Sequence, residues 1–164
     1  MIERALDRAI GALIAVLALI FIAAVCLNFV NVVGRYAFGR AIFGADEVQT
    51  YIMVWMAFGG AVAVTWRDAH LRMDVLVTRL PPPLRDTLRA IELLLMAATA
   101  GLVFWQSLNY CLQMARMGRK SDAAGIPMEL PHSAVAAGFG LIALIALWRQ
   151  VRRARTGPSD GPGA

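Results

Sequence analysis

Four stretches free of Asp, Glu, Lys and Arg divide the chain: residues 9–34, 48–66, 93–115 and 130–148, which are 26, 19, 23 and 19 residues long. A helix rises about 1.5 Å per residue, so about 20 mostly apolar residues cross a hydrocarbon core roughly 30 Å thick. Inside that core every backbone N–H and C=O needs a partner within the protein, and for runs of this length the answer is the α-helix. The pattern therefore predicts an all-α integral membrane protein with four transmembrane helices, at about residues 9–34, 47–66, 88–114 and 132–149, in a single domain over residues 1–155. Composition agrees: 59% of residues are hydrophobic and 16% charged, against roughly 45–50% and 25% in soluble domains. The first run is too long for a signal-peptide core of roughly 7–15 residues, and we read it as a retained helix.

Charge sets an expected orientation. The sixteen basic residues are fifteen arginines and Lys120. Eleven fall on the N-terminus, the second loop and the tail, and five on the first and third loops. The positive-inside rule then places both termini and the second loop in the cytoplasm. The net charge of +5 is spread over short clusters between uncharged runs; no basic stripe offers itself to nucleic acid, and the bilayer is the expected surrounding partner. In the second loop, residues 71–80 mix Leu71, Met73, Val75, Leu76 and Leu80 with Arg72, Asp74 and Arg79. This reads as a short amphipathic interfacial segment between helices two and three. Pro81, Pro82 and Pro83 turn the chain before helix three. The Gly/Pro-rich tail, residues 156–164, is expected to be disordered.

Catalytic and cofactor readings find little support. His70 and His132 sit at loop positions, so a haem-carrying span lacks its axial ligands. Cys26 and Cys111 are isolated in spans, without a Cys-x-x-Cys pair, and read as inert packing residues. We expect no cofactor, no metal and no catalytic residue. An independent exporter would need an ionisable group deep in a span. The nearest candidate, Glu92, opens helix three beside Arg85 and Arg89 and reads as part of an interfacial charge ladder.

The remaining polar and small residues point to structure. Asn28, Asn31 and Arg35 share one face at the outer end of helix one, and Asp46 and Glu47 open helix two at the same depth. Acids suit a first helical turn through the helix dipole. A sharper expectation pairs Arg35 with Asp46 or Glu47, clamping helices one and two, because charge at a low-dielectric boundary is costly unless paired. Helix two carries Trp55, Gly59 and Ala63 at four-residue spacing, a close-packing face for a helix of this chain or of a second membrane protein. Gln106 and Asn109 in helix three suit polar contacts between helices. At the cytoplasmic end Arg67, His70 and Asp74 are expected to anchor the interfacial segment, with His70 and Asp74 one turn apart.

In this order the residues resemble a family. N-V-x-x-R-Y-x-F at Asn31 to Phe38, the pair Asp46 and Glu47, W-x-x-F-x-G at Trp55 to Gly60, and R-x-x-H-x-x-x-D at Arg67 to Asp74 before a Pro-rich turn are similar to the small membrane subunit of tripartite ATP-independent periplasmic (TRAP) transporters. The likeness is close from helix one through the second loop and looser through Gly125–Pro127 and helix four. This chain has Gly44-Ala45 where a tryptophan is common, and Asp46 where glutamate is usual. The resemblance implies a multi-pass subunit of the bacterial inner membrane without catalytic residues. Its partners would be a large membrane subunit that carries substrate and a coupling ion, and a periplasmic substrate-binding protein. The cargo would be an organic acid such as a dicarboxylate, keto acid or sialic acid. The small subunit would be a scaffold against which the large one moves. The alternatives are an independent small multidrug-type exporter and a membrane anchor of a redox complex.

Overall fold

A computed structural model describes residues 2–67 and 81–156 of the chain. They form four helices: α1 (Ile2–Phe38), α2 (Ala45–Trp66), α3 (Pro82–Met117) and α4 (Glu129–Thr156). All four contain a segment long and apolar enough to cross a membrane. The fold is all-α, and among the described residues the only β-type pairing is an isolated bridge between Lys120 and Pro127 in the third loop. The amphipathic segment at residues 71–80, His70, Asp74 and the tail from residue 157 lie outside the described residues.

Helix ends follow local chemistry. After Phe38 the chain turns through Gly39, in the left-handed region at φ 64°, where a residue without Cβ carries no steric penalty. α3 starts on Pro82, whose fixed φ suits the first helical position and whose missing N–H would have no helical partner there. It stops at Gly118, also left-handed, whose N–H returns to the Ala115 carbonyl. α1 and α3 run to 37 and 36 residues, or roughly 55 Å each at 1.5 Å per residue, so both outrun a bilayer core. α2, at 22 residues, is the element whose length comes nearest to that of a bilayer core.

α4 packs against both α2 and α3, and α1 packs against α2. The succession is α1–α2–α4–α3, with α1 and α3 at its two edges. Glycines allow α4 to be flanked on both sides. A Cβ on Gly138 would lie 2.8 Å from Cβ of Phe58 on α2, and one on Gly140 would lie 3.0 Å from the Phe104 ring on α3. Two residues apart on a helix is roughly 200° around its axis, so the two glycines admit bulky neighbours on opposite faces. Ala134 and Ala146 of α4 are almost wholly buried. Val62, Ala100 and Ile142 join α2, α3 and α4 in one apolar cluster, with Leu13 of α1 and Phe139 against it. Outward faces carry large apolar side chains, among them Leu19 and Phe29 of α1 and Leu95 and Leu102 of α3, as an apolar solvent requires.

Gly138→Ala should therefore force Phe58 and the α2–α4 contact apart and cost ~1–3 kcal/mol of stability. Gly60, with nothing within 4 Å of an added Cβ, should accept alanine without loss. Thermal unfolding of both variants in detergent, followed by tryptophan fluorescence, checks the contrast.

Candidate functional site

The polar residues of the first loop and its surroundings gather at the end of the molecule where α1 stops and α2 begins. Asn31 is buried, 3% exposed, and both ends of its amide are used. Its Oδ1 accepts the Ile42 N–H at 2.8 Å, and its Nδ2 donates to Asp46 Oδ1 at 3.3 Å. Arg35, one turn further along α1, donates from Nη2 to Asp46 Oδ2 at 3.4 Å. The two oxygens of Asp46 are thus divided between two residues of α1, and Asn31 also fastens the loop backbone. Gln49 adds a third link, its Nε2 donating to the Ala24 carbonyl at 3.4 Å.

Glu47 takes a different path. Its Oε1 and Oε2 accept the N–H groups of Ala123 and Ala124, at 3.1 and 2.8 Å, in the loop between α3 and α4. That loop is braced internally. Ser121 N–H donates to the Ile126 carbonyl at 2.8 Å, Ile126 N–H to Ser121 Oγ at 3.1 Å, and Met128 N–H to the Arg119 carbonyl at 3.0 Å. Gly44 lets the two loops meet, since it holds φ 79° and a Cβ there would lie 2.9 Å from Cα of Ala124. Of the two acids expected to meet Arg35, then, Asp46 makes the pair and Glu47 fastens the third loop.

At the opposite end, α1, α2 and α4 converge on Trp66. Its indole N–H donates to Asp7 Oδ1 at 2.8 Å, its ring stacks on Trp148 with centroids 5.2 Å apart, and its carbonyl accepts from Arg149. Arg152 lies over the Trp148 ring at 5.0 Å, within cation–π range. Arg67 is exposed, and its backbone N–H closes α2 on the Ala63 carbonyl at 3.0 Å. Its expected companions His70 and Asp74 lie outside the described residues. The part of Asp7 was not read from the sequence; a lone acid between Arg4 and Arg8 at the start of the first apolar run was the available signal.

The expected face of α2 divides. Ala63 is buried and Gly59 faces α1, where a Cβ would lie 3.1 Å from Leu17 Cδ2. Trp55 stays 43% exposed. Among the described residues no group of three His, Cys, Asp or Glu side chains could hold a metal ion. Cys26 is exposed, and Cys111 donates weakly to the Glu129 carbonyl at 3.4 Å. The arrangement joins helices and loops, and its polar groups are engaged in that joining.

The sequence profile of the tripartite ATP-independent periplasmic transporters, DctQ component, matches residues 24–156, from the Asn31–Arg35 face to the end of α4. The chain belongs to the DctQ family of TRAP transporter subunits. It is 30% identical over 138 residues, 84% of this chain and 82% of the relative, to a Haemophilus influenzae protein provisionally named a TRAP transporter small permease protein. It is 25% identical over 148 residues, 90% of this chain and 77% of the relative, to the ectoine TRAP transporter small permease protein TeaB of Halomonas elongata. It is 23% identical over 99 residues, 60% of this chain, to the isethionate TRAP transporter permease protein DctMQ of Oleidesulfovibrio alaskensis, of which the match covers 16%. The four apolar helices and these relatives together make the chain a multi-pass inner-membrane subunit.

The two acids should separate by experiment. Glu47→Gln should speed amide hydrogen exchange at Ala123 and Ala124 and leave Ile42 protected, whereas Asn31→Leu should do the reverse. In stability, Asn31→Leu should cost ~1–3 kcal/mol, because the Ile42 N–H and Asp46 Oδ1 both lose the partner that Asn31 supplies. Arg35→Ala, which removes an exposed ion pair, should cost at most ~1 kcal/mol.

Proposed function

We propose that this subunit is a rigid, non-catalytic scaffold within a TRAP transporter that takes up an organic acid by using a sodium or other ion gradient. In that role it is held beside a large membrane subunit that carries cargo and ion, and a periplasmic binding protein delivers the cargo. The observation that carries the reading is the family match over residues 24–156, coupled with the confinement of Asp, Glu, Lys and Arg to the ends of the spans. A chain that itself moved an ion across the bilayer would need an ionisable group at depth. The relatives support a division of labour. One carries ectoine in its name and another isethionate, so a common small-subunit plan serves different cargoes, and cargo choice belongs to the partners. The DctMQ relative, far longer than this chain, fits a small subunit that works in permanent company with a larger membrane protein.

In the proposed orientation both termini and the Trp66–Trp148 stack lie on the cytoplasmic side, where the greater number of arginines falls. Arg67, His70 and Asp74 would anchor the interfacial segment on that side. The Asn31–Arg35–Asp46 cluster and the third loop then face the periplasm. There Glu47 would keep the third loop in one shape, with Arg116, Arg119 and Lys120 around it available to the binding protein.

Purification of the C-terminally tagged chain from its native membrane should bring down one large polytopic protein in stoichiometric amount, identified by mass spectrometry. A chain recovered alone, or only with copies of itself, refutes the scaffold assignment. Simultaneous reversal of Arg116, Arg119 and Lys120 to glutamate should lower binding-protein-dependent uptake at least severalfold without loss of the membrane complex; unchanged uptake removes the third loop from the delivery step.

A further inference from the structure

One face of α3 changes character half-way along the helix. Leu88, Ile91, Leu95 and Leu102 lie on it, followed by Gln106, Asn109 and Gln113, all exposed. The last three recur at i, i+3 and i+7, so they share a stripe. The packing face of α3, formed by Leu93, Ala97, Ala100 and Met114, lies roughly half a turn away at 100° per residue. Asn109 and Gln113 therefore point away from this chain, at the edge of the succession α1–α2–α4–α3, and Gln106 is exposed on the side of the stripe nearer α4. Among the described residues none of the three makes a hydrogen bond with its side chain.

Their depth follows from the core. Ala100 packs in one cluster with Val62, and α2 reaches its first acids, Asp46 and Glu47, about 15 residues before Val62, or roughly 22 Å away. Gln106, six residues beyond Ala100 in the same direction, lies roughly 9 Å along that path, near the level of the middle of α2. The same register brings Tyr110 and Met114 beside Tyr51 and Glu47, and all four line one recess. Gln106 is thus near mid-membrane, Asn109 about a turn shallower, and Gln113 close to the boundary. Acyl chains offer a carboxamide neither donor nor acceptor, and a lipid headgroup or bulk water does not reach mid-depth against an exposed helix. A cleft of about 330 Å³ adjoins the stripe between α3 and α4, lined by Gln106, Ser107, Tyr110, His132 and Val135.

We propose that this face of α3 is the seat of the large membrane subunit, and that a helix of that partner brings hydrogen-bonding side chains or free backbone carbonyls to Gln106, Asn109 and Gln113. The proposal rests on the scaffold reading for the existence of the partner and adds which helix, which face and which chemistry receive it. Polar side chains between helices act as local adhesive in a solvent that supplies no competing hydrogen bonds. A position for the partner along α3 leaves α1, at the other edge, to the lipid.

The test uses the tagged chain with the large subunit in their native membrane. A photoreactive benzoyl-phenylalanine at position 109 should give a covalent adduct with the large subunit, and one at Leu19 of α1 should give adducts with lipid only. An adduct of position 109 with lipid alone, or with a second copy of this chain, overturns the proposal. The triple variant Gln106→Leu, Asn109→Leu and Gln113→Leu should still accumulate in the membrane, since leucine is the better lipid-facing residue, yet should recover at least tenfold less large subunit. Full recovery with the triple variant also overturns it. If the unmodified tagged chain brings down no large subunit, the scaffold reading itself fails; if it does and position 109 stays silent toward it, only the assignment of this face fails.

Discussion

A hydrogen-bonding group inside a bilayer has to find its partner within protein, and the whole of this structure follows from that demand. It forces the four apolar runs into helices, since helices alone satisfy the backbone of each run from within. It also governs side chains. Asn31, nearly buried at the end of α1, uses its oxygen on the Ile42 N–H and its nitrogen on Asp46. Thr65, buried in α2, turns its hydroxyl to the Ala61 carbonyl at 2.8 Å. Where the chain meets the demand with its own atoms, the result is a joint between elements. Where it leaves the demand open, as along Gln106, Asn109 and Gln113, the structure points to another protein.

The joints are distributed so that each end of the molecule is tied. At one end Asp46 binds α2 to α1 and Glu47 binds α2 to the α3–α4 loop, so two adjacent acids hold three parts of the chain together. At the other, Trp66 receives Asp7 from α1 and Trp148 and Arg149 from α4. Between them the packing is apolar and close, with glycines at the two faces where α4 meets Phe58 and Phe104. A body tied at both ends and dense in the middle has few low-energy ways to deform. That is the mechanical property the proposed scaffold role calls for.

Much of this was legible in the sequence, and the parts that were not have identifiable reasons. Span number followed from run length, and the Asn31–Arg35 face from helical spacing. The choice between Asp46 and Glu47 was left open, although consecutive helical residues point roughly 100° apart, so both could not serve Arg35 equally. The partner of Glu47 lies in residues 119–128, a stretch held by individual backbone bonds and a close approach at Gly44, which no periodicity announces. The expected Trp55–Gly59–Ala63 face splits because four-residue steps drift by roughly 40° each against a 3.6-residue turn. Gly59 and Ala63 remain inward while Trp55 is carried outward. The polarity of Gln106 and Asn109 was visible, but its direction was not, and direction separates a contact within the chain from one beyond it.

The arrangement of edges sharpens that last distinction. α2 and α4 are flanked on both sides by helices of the same chain, and what they leave exposed, such as Met53 of α2 and Leu144 of α4, is apolar. α1 and α3 each present a full face. The exposed face of α1 carries Leu19, Ile22, Val25 and Phe29, with Asn28 its one exposed carboxamide, near the end of the span, and lipid satisfies the apolar remainder without help. The face of α3 is apolar only to Leu102 and then carries three carboxamides in succession toward Arg116. Two exposed edges of unequal chemistry make the subunit directional. One side can end in lipid, and the other is incomplete until a polar membrane helix lies against it.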